Sequence, residues 1–271
     1  MQDADDALAE AYQRGLDAEA RGDRAAAAEA FAEVLRLDPE DHGGAAIRLA
    51  ALHLAPAPER APPAYVATLF DQHAEVFDGM LVDQLGYHVP MLIREAIQSL
   101  GFGPFERMLD LGCGTGLSGE SLHDLCGCRT GVDLSEGMLE IAHEKEVYDA
   151  LFSGDAEGFL AAAEPGARWD LIVATDVLPY LGATEGLFAG VAARLAPGGL
   201  FAFSTETAEA AVFAGRPWIV GPKQRYAHEP GAIEAALSRA GLATLSAEPI
   251  TVRFDEGDPV PGRLVVARRE G

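Results

Sequence analysis

The chemistry of this chain begins where the apolar run Met108, Leu109, Asp110, Leu111 gives way to Gly112, Gly114 and Gly116 at alternate positions. A strand that stops at glycines can turn sharply and offer main-chain N–H groups to a ligand with no Cβ in the way. The residues after Gly116 open a helix, whose free N–H groups favour a negatively charged ligand group. The pattern suits a nucleotide-type cofactor. Seventeen residues beyond Gly116, the run Thr130, Gly131, Val132, Asp133 ends a second strand in an acid. A carboxylate there accepts hydrogen bonds from ribose hydroxyls. A dinucleotide fingerprint would need glycines at 112, 114 and 117. Position 117 is Leu, the third glycine comes one residue early, and Asp110 has no place in that fingerprint.

Further motifs follow at regular intervals. Ser153, Gly154, Asp155 and Ala156 end a third apolar run; Asp170 to Val177 forms a fourth; Leu195, Ala196, Pro197, Gly198 and Gly199 make the turn before a fifth. Together with Asp110 to Gly116, and with Gly131 to Ser135 followed by Met138 and Leu139, this set resembles the class I S-adenosylmethionine-dependent methyltransferases. The resemblance covers residues 64 to 270. It implies S-adenosylmethionine as donor, with S-adenosylhomocysteine as product. It also implies the donor contacts. Gly112, Gly114, Thr115 and Gly116 form the loop against the methionine part, and Asp110 sits toward its ammonium. Asp133 takes the ribose diol, and Leu134 and Met138 sandwich the adenine. Asp155 and Ala156 meet the adenine edge, and Thr175 lies beneath the methionine part.

Methyl transfer from a sulfonium is an in-line displacement, so the protein mainly positions and desolvates the reactants. A base is needed only if the acceptor must lose a proton. Candidates for that task are His228, Glu206 and Tyr180, with His228 equally readable as a capping or packing histidine near Pro230. For acceptor contacts the sequence offers His73, Phe77, Arg216, Arg225 and Tyr226. Between Glu209 and Glu229 there is no acid, yet Arg216, Lys223 and Arg225 are present with Phe213, Trp218 and Tyr226. A basic, aromatic island suits a mobile loop that captures an anionic small molecule. Asp176 is followed by Val177, so an Asp-Asn metal pair is missing, and no His-x-x-x-His pair occurs; no metal is expected.

The elements that must hold these residues alternate from 106 onward, which predicts an α/β fold with helices on both faces of a seven-stranded, mostly parallel sheet. Strands are expected near 106–111, 128–133, 149–153, 169–175, 198–204, 242–252 and 263–269. Too few residues separate the last two for a crossover, so the final strand should run antiparallel. Residues 64–271 would form this domain, with a helical cap over 64–100.

Residues 1–54 differ in character. Gly15, Gly22, Ala27, Phe31 and Pro39 stand at the offsets of a 34-residue tetratricopeptide (TPR) repeat, giving a small all-α TPR-like segment. One repeat cannot bury its own face, so it must pack on the domain, on a second copy or on a protein partner. It reads as an interaction module outside the catalytic machinery, joined by a Pro-rich linker at 55–63 that favours a stiff extended form.

Among 271 residues the net charge is −23, which disfavours nucleic acid and anionic membrane surfaces as partners. Three cysteines without framework spacing suggest a reducing compartment. The acidic N-terminus is no secretory signal and no apolar run reaches ~18 residues, so a cytoplasmic protein is expected. Three functions are compatible with these features: methylation of a small, anionic molecule, methylation of a protein docked by the repeat, or a cofactor-sensing adaptor without catalysis.

Overall fold

The protein is described by a computed structural model covering residues 2–270, with side chains from Ala4 onward. Nine strands form: β1 (Phe105–Leu111), β2 (Cys126–Asp133), β3 (Ala150–Ser153), β4 (Trp169–Ala174), β5 (Leu195–Glu206), β6 (Trp218–Val220), β7 (Tyr226–His228), β8 (Leu242–Asp255) and β9 (Asp258–Arg269). Seven build the main sheet in the order β3-β2-β1-β4-β5-β9-β8. β1 to β5 pair in parallel, while β9 runs antiparallel to both β5 and β8. The reversed final strand is as expected. Side chains of β4 alternate between two cores: Ile172 and Ala174 face one, Leu171 and Val173 the other. A sheet buried on both faces needs such continuous apolar strands.

Two differences from expectation arise from local chemistry. β8 and β9 extend to a two-residue turn at Glu256 and Gly257, both with positive φ, as a tight hairpin requires. Pro259 and Pro261 suggested a loop there, but they pair with β8 beyond the last β5 partner, where one side of β9 needs no donor. The second difference is the β6–β7 hairpin, in a stretch that reads as loop because each strand is only three residues long.

The N-terminal part comprises α1 (Gln2–Ala20), α2 (Arg24–Leu37) and α3 (Ala45–Ala51). A Cβ at Gly15 would lie 2.5 Å from the Phe31 ring, so the missing side chain is what lets α1 and α2 approach. Asp23 caps α2, accepting from the Ala26 amide at 3.1 Å. The segment is not a separate body. Ile47 and Ala50 of α3 share a core with Ala61, Val66, Val220 and Tyr226. Nor does the linker hang free. Tyr226 Oη donates to Pro58 O at 2.8 Å, the Gly182 and Ala183 amides donate to Glu59 O at 2.8 and 2.9 Å, and the Ala61 amide donates to Tyr180 O at 2.9 Å.

The cap follows as α4 (Pro63–Asp71), a 3₁₀ turn (Ala74–Val76), a π-helical turn (Gly79–Gln84) and α5 (Val89–Ser99). The expected helical cap is thus made of several short pieces over 63–84 followed by α5. No helix among the described residues is long and apolar enough to cross a membrane.

Candidate functional site

The site is built at the C-terminal ends of β1, β2, β3 and β4. Gly112 and Gly114 have φ of 67° and 53°. A Cβ at Gly112 would fall 2.5 Å from Val177 Cγ2, whereas one at Gly114 would meet nothing within 4 Å and would stand in open space. Gly112 therefore lets β1 pack against the turn after β4, and Gly114 leaves room. Gly116 caps the helix Leu117–Ser121, and its Cβ would meet Val147 at 2.8 Å. It serves packing and does not line the cavity.

Asp133 closes the loop onto β2. One oxygen accepts from the Gly114 amide at 2.8 Å and the other from the Ser135 amide at 2.9 Å. Burial pushes its carboxyl up from the usual range. Each oxygen keeps lone-pair capacity for a hydroxyl donor. Asp110 lies fully buried beneath the loop. Tyr148 Oη donates to its Oδ2 at 2.5 Å, while Oδ1 has no partner. Burial is the main reason its pKa is raised to about 7, with the nearby Asp133 charge adding to it. A buried acceptor left unpaired is expensive, and an incoming ammonium group would satisfy it. Asp110 does not itself line the cavity; its unpaired oxygen lies beneath the glycine loop that does. Asp155 caps the helix Ala156–Ala162, its Oδ1 accepting from the Gly158 amide at 2.9 Å.

A cavity enclosing about 1080 Å³, mouth included, opens over these residues. Gly112, Gly114, Thr115, Asp133, Leu134, Asp155, Ala156 and Thr175 line it, as do Phe77 and Tyr180. Met138 does not: it is a fully buried helix-core residue. The roof comes from the cap, through Val66, Phe70, Phe77, Leu81 and Tyr87. Two aspartates fasten that roof. Asp71 accepts from Ser135 Oγ at 2.5 Å and from the Gly137 amide at 3.1 Å. Asp78 accepts from Thr115 Oγ1 at 2.5 Å and from Lys145 Nζ at 2.6 Å. Thr115 thus spends its hydroxyl on the cap.

Most of the acceptor-side expectations fail on placement. His228 is buried in β7, and neither ring nitrogen makes a hydrogen bond of sound geometry, although the Leu181 and Gly182 backbone lies near. Burial lowers its pKa to about 4, so it stays neutral, and it does not line the cavity. It is a packing histidine. Glu206 is also off the cavity, held by Arg225 at 2.7 Å and Arg253 at 2.6 Å. His73 spends Nδ1 on Leu69 O at 2.7 Å. Tyr226 is buried and bound to Pro58 O. The basic island is neutralised by acids distant in sequence: Arg225 pairs with Asp176 and Glu206, and Lys223 with Glu256 and Asp255. Arg216 is exposed and donates to the Phe213 carbonyl. With its cations occupied or turned outward, the loop offers the cavity no anion-binding group.

Of the named residues, Tyr180 and Phe77 remain at the acceptor side. The Tyr180 ring packs edge-on to Phe70, with centroids 5.4 Å apart. Burial pushes its phenol up to about 12.

One residue on this side, Arg253, escaped sequence reasoning; Asp176 belongs to the stretch that ends the fourth apolar run. Asp176 lines the cavity with φ 58°, a strained conformation for a residue with a side chain. Arg253, nearly buried, joins Arg225 against Asp176 and Glu206. A lone cation after Ile250, Thr251 and Val252 was its available signal. Two more stand at the rim: Arg60 and Glu157 line the cavity and form an ion pair. Among the described residues no group of three or more His, Cys, Asp or Glu is arranged to hold a metal ion.

Comparison with known proteins adds to this geometry. A family model described as a methyltransferase domain matches residues 108–199. A ubiquinone biosynthesis O-methyltransferase of Ralstonia nicotianae is 30% identical over 169 residues, covering 59% of this chain and 71% of its own. One of the same name from Maricaulis maris is 28% identical over 191 residues, covering 62% and 74%. Among solved structures, the N-methyltransferase NodS of Bradyrhizobium japonicum in complex with S-adenosyl-L-homocysteine superposes with TM-score 0.58 at 17% identity, covering 76% of this chain and 99% of its own. A methyltransferase from Clostridium acetobutylicum gives 0.55 at 17% identity, covering 75% and 100%.

Proposed function

Since the chain belongs to the class I S-adenosylmethionine-dependent methyltransferases, we propose that it transfers the donor's methyl group to a hydroxyl of a small, uncharged and largely apolar molecule. The observation that carries this reading is the roof of the cavity, where the cap sets Val66, Phe70, Phe77 and Leu81 above the glycine loop. Two further points support it. The charged residues lining the cavity are Asp133, Asp155, Glu157, Asp176 and Arg60, and the one cation among them is paired with Glu157. The two relatives described above are named as O-methyltransferases.

S-adenosylmethionine supplies an activated methyl group on a sulfonium. In this reading Asp133 accepts from the ribose hydroxyls, Asp110 faces the ammonium group, and Asp155 and Ala156 border the adenine. Tyr180, protonated at neutral pH, donates to the acceptor. Asp176, held by Arg225 and Arg253, accepts from the reacting hydroxyl, orients it and would take up its proton as the oxygen–methyl bond forms and the methyl–sulfur bond breaks. The cap excludes water, which strengthens each of these contacts.

Residues 4–37 read as one TPR-like helix pair, supported by the Gly15–Phe31 contact. Its role in this reading is architectural, with α3 packed beside the site. The test is an assay of the purified chain with labelled donor against neutral phenols and alcohols, carboxylates, amines and peptides. Methylation of neutral hydroxyl compounds is expected. Transfer confined to peptides would favour the protein methyltransferase. Donor binding without any transfer would favour the adaptor.

A further inference from the structure

The linker between the N-terminal helices and the cap borders the cavity through Arg60 and Ala61, and its path is fixed by backbone pairing with residues 180–183. Arg60 forms an isolated antiparallel bridge with Leu181, flanked by the Glu59 and Ala61 hydrogen bonds to residues 180–183. Its Cα therefore has little freedom, although its side chain sits at the rim, 46% exposed. From there the guanidinium donates to Glu157, two residues beyond Asp155. Glu157 lies against Gly186, whose missing Cβ leaves the carboxylate room. Among the residues lining the cavity, Arg60 is the sole cation.

We infer that Arg60 is a donor-site residue contributed by the linker, closing the adenosyl end of the cavity together with Glu157. This rests on the reading that places the adenine at Asp155 and Ala156. The chemistry suits the assignment. A guanidinium is planar, stacks on aromatic faces and donates in a fixed fork, while a purine offers a π-face and ring-nitrogen acceptors. Pairing with Glu157 orients the plane and leaves further N–H groups free. The same contacts carry the influence of the N-terminal segment. Ile47 and Ala50 of α3 share a core with Ala61 and Tyr226, and Tyr226 holds Pro58 two residues before Arg60. The N-terminal helices thus support the linker that borders the donor site, although none of their residues lines the cavity.

The experiment measures affinity and dissociation rate of S-adenosylmethionine and S-adenosylhomocysteine on the full chain, by calorimetry and by chase of labelled ligand. Arg60→Ala should raise Kd for both about fivefold, mainly through faster dissociation, with an unchanged melting temperature because a rim ion pair contributes only ~0–1 kcal/mol to folding. Arg60→Lys should recover part of the loss, keeping the charge but not the plane. Glu157→Gln should weaken binding by a similar factor, and the double variant should be no worse than Arg60→Ala alone. Asp133→Ala serves as the control. Unchanged Kd and dissociation in Arg60→Ala, with binding weakened in Asp133→Ala, overturns the inference and leaves the donor-site reading standing. Unchanged binding in Asp133→Ala overturns that reading itself.

Discussion

The guanidinium carbon of Arg225 lies 5.2 Å from the centroid of the Tyr180 ring, while its nitrogens donate to Glu206 at 2.7 Å and Asp176 at 2.9 Å. One side chain therefore links an aromatic wall of the cavity to two carboxylates at the ends of β4 and β5. Arg253 completes a square of two cations and two anions with no net charge. Removing one member leaves a mostly buried carboxylate short of a partner. Arg225→Ala should lower stability by roughly 3 kcal/mol, the lower end of what breaking a buried pair costs. Urea unfolding checks this, and a loss below ~0.5 kcal/mol would show the square to be no more than a surface pair.

Asp110 makes donor binding depend on pH. Its carboxyl is raised to about 7 by burial, from an ordinary value of 3.8. In the donor-free chain the folded state holds the proton more tightly than the unfolded state. Its contribution to stability is thus fully present below about pH 4 and is lost as pH rises toward 7. The donor's ammonium reverses the preference by favouring the ionised form. Affinity for S-adenosylmethionine should therefore rise between pH 6 and 8, and Asp110→Asn should flatten that profile and weaken binding. Calorimetry across this range decides the matter; a flat profile for the unaltered chain would count against an ammonium at Asp110.

Gly112 and Gly114 share a left-handed backbone but differ in what surrounds them. Gly112→Ala must displace Val177, since the new Cβ would lie 2.5 Å from Cγ2, so it should destabilise the fold by ~2 kcal/mol or more. Val177→Ala in the same chain should restore part of that loss. Gly114→Ala meets no protein atom. It should carry only the modest strain of positive φ, ~1 kcal/mol, and yet reduce donor affinity by occupying ligand space. Melting curves with and without donor separate the two. Equal stability losses would refute the distinction.

Ile47 tests whether the N-terminal helices fold with the domain. It is fully buried in the core shared with Val66, Val220 and Tyr226. Ile47→Ala should cost ~2–5 kcal/mol through lost transfer energy and a cavity. A loss confined to a separate early transition, with the main unfolding unaffected, would restore the picture of an independent module.

Much of the cavity lining was legible in the sequence because its chemistry is local. A strand ending in glycines, an acid closing the next strand and a capping acid after the third each need only a few consecutive residues. The mostly parallel sheet and its reversed last strand followed from alternation and from a connection too short for a crossover. What the sequence could not decide was which charges meet. Arg225 stood in a stretch without acids, but Asp176 and Glu206 reach it from the ends of β4 and β5, and Arg253 from β8. Pairing depends on Coulomb energy at a few ångströms, and distance along the chain carries no information about it. Burial decided His228 in the same way: one face of a three-residue strand, turned inward, changes a candidate base into a neutral packing residue. The linker shows the same division. Its prolines determined an extended path, while only the docking of α3 and the free backbone groups at 180–183 determined that the path borders the cavity.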